Sequence, residues 1–442
     1  MQTPDFRDLL TRSGQRTMLE RRGQTWPYAQ AASMLEQNTH LLRRAPAGCL
    51  GLPFRPGAEE IALFLAAVQQ GRPLVLLEGE TGEEEALRTA RRAGANLIWA
   101  NGSITPLAGS SVARAPEPAG GGIAILTSGT TGEPKIAWHG WEGLTGPVRR
   151  SQELEGSRWL LTYPLHLYAG LQVLLHVLLN GGALVVPASR SDPERIVEEI
   201  LSSRVTCISA TPSFWTQLLL FGGAERLRSA PVRQITLGGE ACRQALLDRL
   251  GDLFPAARLV HIYATTELGR CFSVSDRREG FPASFLQKGT PDGVSIRIQE
   301  GELEVKPRYD AEHVVGATEP VGDWRATGDL VEVRGDRVLF MGREEDLINV
   351  GGYKVNPLRV ERVLEEHELV LKARVYGRAS SLVGSVVAAD LVCRPDADPD
   401  RVRDQVGAFC RQHLHEYEMP RFLTVVPRVD LSTAGKTRRK EG

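Results

Sequence analysis

Apolar positions along this chain recur at two spacings, and the two alternate. Residues 58–69 and 83–93 carry apolar side chains at helical intervals, while 73–77 and 96–100 are short apolar runs of strand length. Strands alternating with helices predict a parallel sheet built from crossover units. Residues 102–121, rich in Ser, Ala, Pro and Gly, predict a connector, and 122–126 a buried strand beyond it. The alternation then resumes. Asp192 and Pro193 supply an N-cap and a first-turn proline for a helix that aligns Ile196, Val197, Ile200 and Leu201. Strands follow at 205–209, 234–237 and 258–262, with a helix over 243–253. From Val294 the pattern shortens to alternating segments between turns, at 294–298 and 301–306, which predicts an antiparallel or barrel-like unit.

The texture changes again after Gly342. Asn356 and Pro357 open a helix with Val360, Val363 and Leu364 on one face. Strand runs at 370–376 and 385–392 follow, then a helix that spaces Val402, Val406, Phe409 and Cys410. The expected class is α/β. A large N-terminal domain, 1–342, combines doubly wound α/β subdomains with a small β-barrel-like subdomain, and a small α+β domain, 343–442, completes the chain. Composition agrees: 442 residues, 42% hydrophobic and 24% charged, can fill two or three cores and carry no signature of disorder. A net charge of −1 provides no global field for nucleic acid or an anionic membrane. The six cysteines are scattered without a Cys-x-x-Cys pair, which argues against zinc or a disulfide framework and fits a reducing compartment. Asp5 and Asp8 interrupt any signal-like N-terminus, and Gln172, His176, Asn180 and glycines interrupt the apolar stretch 169–186. A cytoplasmic protein without a membrane span is expected.

Candidate chemistry begins where the strand 122–126 empties into Thr127, Ser128, Gly129, Thr130, Thr131, Gly132 and, after Glu133 and Pro134, Lys135. The glycines let backbone amides approach an anion, the hydroxyls add donors, and the lysine adds a point charge suited to phosphate. The common Gly-x-x-x-x-Gly-Lys-Ser/Thr spacing is absent, since Ile136 follows the lysine. A mobile surface turn is the plain alternative for such a run. Three further constellations lie downstream. Tyr263-Ala264-Thr265-Thr266-Glu267 follows the strand 258–262, where parallel sheets place ligand loops, and its carboxylate is a hard ligand fit for Mg²⁺. Gly238-Gly239-Glu240 lets a flat base lie against backbone. Thr327-Gly328-Asp329 offers a carboxylate to a pair of ribose hydroxyls, with Arg343 beyond it. Singly, each has a plain reading as a turn or a solvated charge.

In order and separation these motifs resemble those of the AMP-forming adenylating enzymes (acyl- and aryl-CoA ligases, peptide-synthetase adenylation domains, luciferases), from Thr127 to the C-terminus. Residues 342–357 are similar to that family's inter-domain hinge and the glycine turn after it, and 432–436 to the loop bearing its catalytic lysine. The resemblance implies Lys436 and Glu267 as catalytic residues, Glu267 also as the Mg²⁺ ligand. It implies that ATP is held by Thr127, Ser128, Gly129, Thr130, Thr131, Gly132, Lys135, Gly238, Gly239, Glu240, Tyr263, Thr266, Asp329 and Arg343. Glu345 becomes the hinge of a mobile C-terminal lid, and Gly351 and Gly352 line a tunnel for a pantetheine thiol. Three positions depart from the family: the section before the phosphate loop is short, Ala264 replaces a common glycine, and Glu345 stands where Asp or Lys is usual.

The implied reaction has two steps. A carboxylate attacks the α-phosphorus of ATP to give acyl-AMP and pyrophosphate, and the thiol of CoA or of a carrier protein's phosphopantetheine then takes the acyl group. His166, Leu167, Gly170 and Gly239 are the expected acid-binding residues. Residues 159–191 contain no Asp or Glu to pair with an α-ammonium, so a fatty, aryl or other non-amino acid is expected. Two alternatives stay open: a stand-alone adenylation enzyme loading a carrier protein, and a non-catalytic nucleotide-binding homologue.

Overall fold

The computed structural model describes residues 5–107, 121–127, 135–308, 310–315, 323–380, 384–394 and 397–437. Two α/β layers share one core. An eight-stranded sheet runs parallel through Thr17–Arg21, Ala183–Val186, Arg158–Leu160, Cys207–Ala210, Gln234–Gly238 and Arg258–Thr265, with antiparallel edges Gln24–Pro27 and Gly269–Val274. A seven-stranded sheet is parallel across Leu97–Ala100, Leu50–Pro53, Leu74–Leu77 and Ile123–Thr127, then antiparallel through Lys135–His139 and His313–Val315. Between them lie the helices Ala58–Gln69 and Tyr168–Leu179, apolar almost all round because both of their sides are covered.

Most elements fall where the pattern puts them, including the helices Ala58–Gln69, Glu83–Arg92, Pro193–Ser202 and Gln244–Leu253. Asp192 caps its helix by accepting from the Arg195 amide at 3.3 Å. Residues 102–121 differ from expectation. Asn101 and Gly102, at φ 49° and 77°, form a two-residue turn that folds Ser103–Pro106 back onto Leu97–Ala100 as an edge strand. Residues 108–120 lie outside the described set.

The strand expected at 258–262 runs on to Thr265, because the antiparallel edge strand pairs Tyr263 with Phe272 and Ala264 with Arg270. A register shift between Tyr263 and Ala264 re-aims the side chains there. Asp329 likewise sits within the strand Arg325–Arg334, opposite Arg343, and not on a turn. That strand belongs to a five-stranded antiparallel sheet with Phe281–Pro282, Arg337–Arg343, Glu302–Lys306 and Ser295–Gln299.

The C-terminal part closes around its own apolar cluster, from Ile348 to Leu414. Helices Pro357–Glu365 and Pro399–His413 pack with the strands Val370–Ser380 and Gly384–Cys393, as expected. Gly351 and Gly352, at φ 56° and 94°, make the tight turn between Ile348–Val350 and Tyr353–Val355. Among the described residues no helix is long and apolar enough to cross a membrane.

Candidate active site

The carboxyl ends of the parallel strands open into one large cleft of about 1930 Å³, which the C-terminal part covers. Thr127, Lys135, Gly238, Gly239, Glu240, Tyr263, Thr266, Glu267, Asp329, Arg343, Glu345 and Lys436 all line it. Residues far apart in sequence therefore meet. Ser128, Gly129, Thr130, Thr131 and Gly132 lie outside the described residues.

At one end Asp329 is the hub. Its Oδ2 accepts from the Tyr263 hydroxyl at 2.5 Å and its Oδ1 from Arg343 Nε at 3.1 Å. Burial and the neighbouring carboxylate push the Tyr263 phenol well above its ordinary pKa, so it stays a donor. Burial works against the Arg343 cation, but Asp329 and Glu345 outweigh it and hold the guanidinium protonated. Arg343 also reaches Glu345 at 2.7 Å and the Thr327 carbonyl at 3.3 Å.

Glu267 faces Thr127 across the cleft floor, with the threonine hydroxyl 3.4 Å from Oε1. Its backbone is anchored on both sides. His139 Nε2 bonds the Thr266 carbonyl at 2.7 Å, and the Glu267 carbonyl accepts from the Ala311 amide at 2.8 Å. Burial drives the pKa of His139 down to about 4, so the ring is neutral and Nε2 is its donor. His139 carries no motif, and only the folded chain reveals its task.

Lys436 enters from the C-terminal part on a loop pinned at three points. The Thr211 hydroxyl donates to the Gly435 carbonyl, Glu240 Oε1 accepts from the Thr437 amide at 2.9 Å, and the Ser213 and Thr437 hydroxyls lie 2.9 Å apart. Glu240 Oε2 accepts from the Ser213 amide at 3.0 Å, in the first turn of the helix Pro212–Phe221. Glu240, expected beside the nucleotide, is thus also a clasp for the lysine loop. Sequence reading missed Thr211, Ser213 and Thr437. The Thr211-Pro212 pair, an N-cap followed by a first-turn proline at the end of a parallel strand, was the available signal.

The lysine faces the open cleft, where water reaches it, yet protein crowds it on the other sides. That desolvation pulls its pKa below the usual lysine value, while Glu240, then Asp329 and Glu267, pull upward against Arg343. Gly239 lies under the lysine at φ 81°, and a Cβ there would sit 2.9 Å from Lys436 Cε. No other residue type fits this contact without moving the lysine.

Of the expected acid-binding residues, Leu167 and Gly239 line the cleft and His166 and Gly170 do not. Gly170 is required by packing, because a Cβ would lie 2.0 Å from the Pro164 carbonyl oxygen. His166 is buried, and desolvation together with Arg190 lowers its pKa to about 4. Gly351 and Gly352 are exposed and away from the cleft in this pose.

The model of the family described as AMP-binding enzyme matches residues 6–316, and that of the AMP-binding enzyme C-terminal domain matches 359–436. The chain is 27% identical to a 2-succinylbenzoate–CoA ligase of Listeria monocytogenes, over 72% of this chain and 68% of that protein. It is 28% identical to a 4-chlorobenzoate–CoA ligase of Arthrobacter sp, over 74% and 66%. In fold it is similar to an o-succinylbenzoate CoA synthetase from Bacillus subtilis in complex with its acyl-adenylate intermediate. That likeness has a TM-score of 0.71 at 21% identity, over 97% of this chain and 96% of the other.

Proposed function

Because the chain belongs to the AMP-binding enzyme family, we propose that it joins a carboxylic acid to the thiol of CoA through an acyl adenylate. The observation that carries this reading is the position of Lys436, held in the cleft with Glu267, Asp329 and Arg343 around it. The first step brings a carboxylate to an α-phosphate, two anions that repel. A fixed ammonium between them lowers the barrier by stabilising the charge that concentrates in the transition state. Asp329, already aligned by Tyr263 and Arg343, is placed to accept the ribose hydroxyls. Thr127 and Lys135 stand where the phosphates would lie.

Magnesium fits this donor set. Glu267 presents a carboxylate oxygen toward the cleft, and no cluster of three or more His, Cys, Asp or Glu exists among the described residues to hold the ion alone. Such a site shares the ion with phosphate oxygens and water, as Mg²⁺ prefers, and the bound ion would neutralise phosphate charge.

For the second step we propose that residues 343–442 turn as a lid about Glu345, withdraw Lys436 and bring Gly351 and Gly352 to the thiol's entry. CoA is the favoured acceptor, since the two relatives described above are CoA ligases, and carrier-bound phosphopantetheine is the competitor to assay beside it. The absence of Asp and Glu from 159 to 191 favours an aryl, fatty or other non-amino acid. A cytoplasmic location belongs to the same reading and rests on six scattered cysteines.

Separate assays of the two half-reactions test it. Lys436→Ala should lower ATP–pyrophosphate exchange by ~10²-fold or more, the scale of losing a major electrostatic contact. Supplied with synthetic acyl-AMP, the same preparation should still make thioester near the wild-type rate. An equal loss in both steps would show that Lys436 does not alternate between them.

A further inference from the structure

The helix Tyr168–Leu179 is apolar over nearly its whole surface, yet the face it turns to the cleft is interrupted by Gln172 and His176. These are the half-buried positions one turn apart on that face, whereas Leu171, Leu174, Leu175 and Leu178 are buried behind them. At ~1.5 Å per residue, His176 stands ~10 Å further along the helix than Ala169, and both border the cleft. Trp159 supplies a ring beside His176, with centroids 5.5 Å apart.

The hydrogen bonds each side chain already makes decide what it has left to offer. Gln172 Nε2 donates one of its two protons to the Leu144 carbonyl at 2.8 Å, which leaves Oε1 as an acceptor beside the second N–H. His176 Nδ1 lies 2.8 Å from the Gln172 carbonyl, an acceptor only, so Nδ1 carries the proton and Nε2 is a second acceptor. Neither Oε1 nor Nε2 has a partner among the described residues, and both side chains border the cleft. Two acceptors one helical turn apart accommodate a donor. A hydrocarbon would strip them of water without replacing its hydrogen bonds.

We propose that the acid activated here is an aryl acid bearing a hydroxyl or amino group on its ring, received by Gln172 Oε1 and His176 Nε2. This rests on the acid-activating reading and names the class of acid within it. The flat ring would lie against the helix face between Ala169 and His176, with Trp159 closing the His176 end. Discrimination comes from the two acceptors: the analogue without its donor leaves them dry, and sites built to hydrogen-bond a substrate group reject such analogues strongly.

The test is a matched panel of benzoate, 3- and 4-hydroxybenzoate, 4-aminobenzoate, 4-chlorobenzoate and terephthalate. Each is assayed by pyrophosphate exchange and, independently, by calorimetric binding to the full chain. A hydroxy- or aminobenzoate should exceed benzoate and 4-chlorobenzoate in kcat/KM by at least ~10-fold, the worth of one well-made hydrogen bond. Gln172→Leu and His176→Phe should each shrink that ratio, with benzoate measured on the same preparations as the internal reference. A folding defect would lower all acids together and leave the ratio intact, which overturns the assignment. Equal handling of benzoate, or a preference for terephthalate or for a non-aryl acid, overturns it too and leaves the activity standing. Selective binding of the hydroxy acid with no exchange would instead keep the pocket and refute the activity.

Discussion

At the scale of single residues, the site is governed by what surrounds Lys436. If the proposed adenylation step uses its ammonium, the crowding that lowers its pKa should make activity fall with rising pH earlier than for a solvated lysine. Glu240 counters that shift more than any other neighbour, and it also receives the Thr437 amide. Glu240→Gln removes the charge and disturbs the clasp. The alkaline limb of the exchange reaction should move to lower pH, because a lysine without its anion loses its proton more readily. Exchange at neutral pH should drop ~10-fold, the scale of one charge-assisted hydrogen bond, with thioester formation from acyl-AMP unchanged. The pH profile of exchange decides it: a limb that stays in place would leave Glu240 with a packing role only.

Among elements, the short turn Glu344–Asp346 joins the last strand of the antiparallel sheet to the C-terminal part. Arg343 ends that strand, tied back to Asp329 and forward to Glu345, so the turn begins on the Asp329 side of the cleft. Proline at 345 would hold φ near about −65° and remove an amide, restricting the one segment that must change shape if the lid rotates. Glu345→Pro should therefore spare acyl-AMP formation and abolish most thioester formation, read by trapping acyl-AMP and by thiol consumption. Equal losses in both would place the pivot elsewhere. Much of this region was legible beforehand. The cap at Asn356 and the helix after it follow from local chemistry, and the Asn356 side chain does accept from the Leu358 amide at 3.0 Å.

For the whole molecule, the question is what keeps the C-terminal part seated. Beside the lysine clasp, Arg243 is paired with Glu365, and Arg362 meets Glu279 at 3.0 Å. Glu365 is bound within its own domain as well, by Lys372 at 2.8 Å and the Ala373 amide at 3.1 Å. Those neighbours hold its pKa below the ordinary carboxylate value even though burial pushes the other way. Arg243→Met takes away the cross-domain partner while Lys372 still satisfies the carboxylate. The seated pose should lose population, so exchange should fall several-fold and thioester formation from acyl-AMP should hold or rise. Small-angle scattering should show a more open particle; unchanged scattering with unchanged exchange would remove the pair from any latching role.

By itself the sequence determined the α/β alternation, the helix caps at Asp192 and Asn356, and the spaced motifs around Thr127, Tyr263, Asp329 and Lys436. These are local matters: periodicity, cap chemistry and loop composition act over a few residues and leave a mark in the chain. Even here one local sign went unread, the Asn101-Gly102 turn that makes a strand of Ser103–Pro106. Only the tertiary structure decided that Tyr263 and Asp329 lie on strands, that His139 holds the Thr266 carbonyl, and that Glu240 with Thr211 and Ser213 clasps the lysine loop. The same holds for Gln172 and His176, which interrupt an apolar run in sequence and become the cleft face of a helix in space. For His139 and the lysine clasp the partner is more than a hundred residues away, and for Tyr263 and Asp329 the conformation depends on pairing with a neighbouring strand, so no motif spacing encodes the outcome.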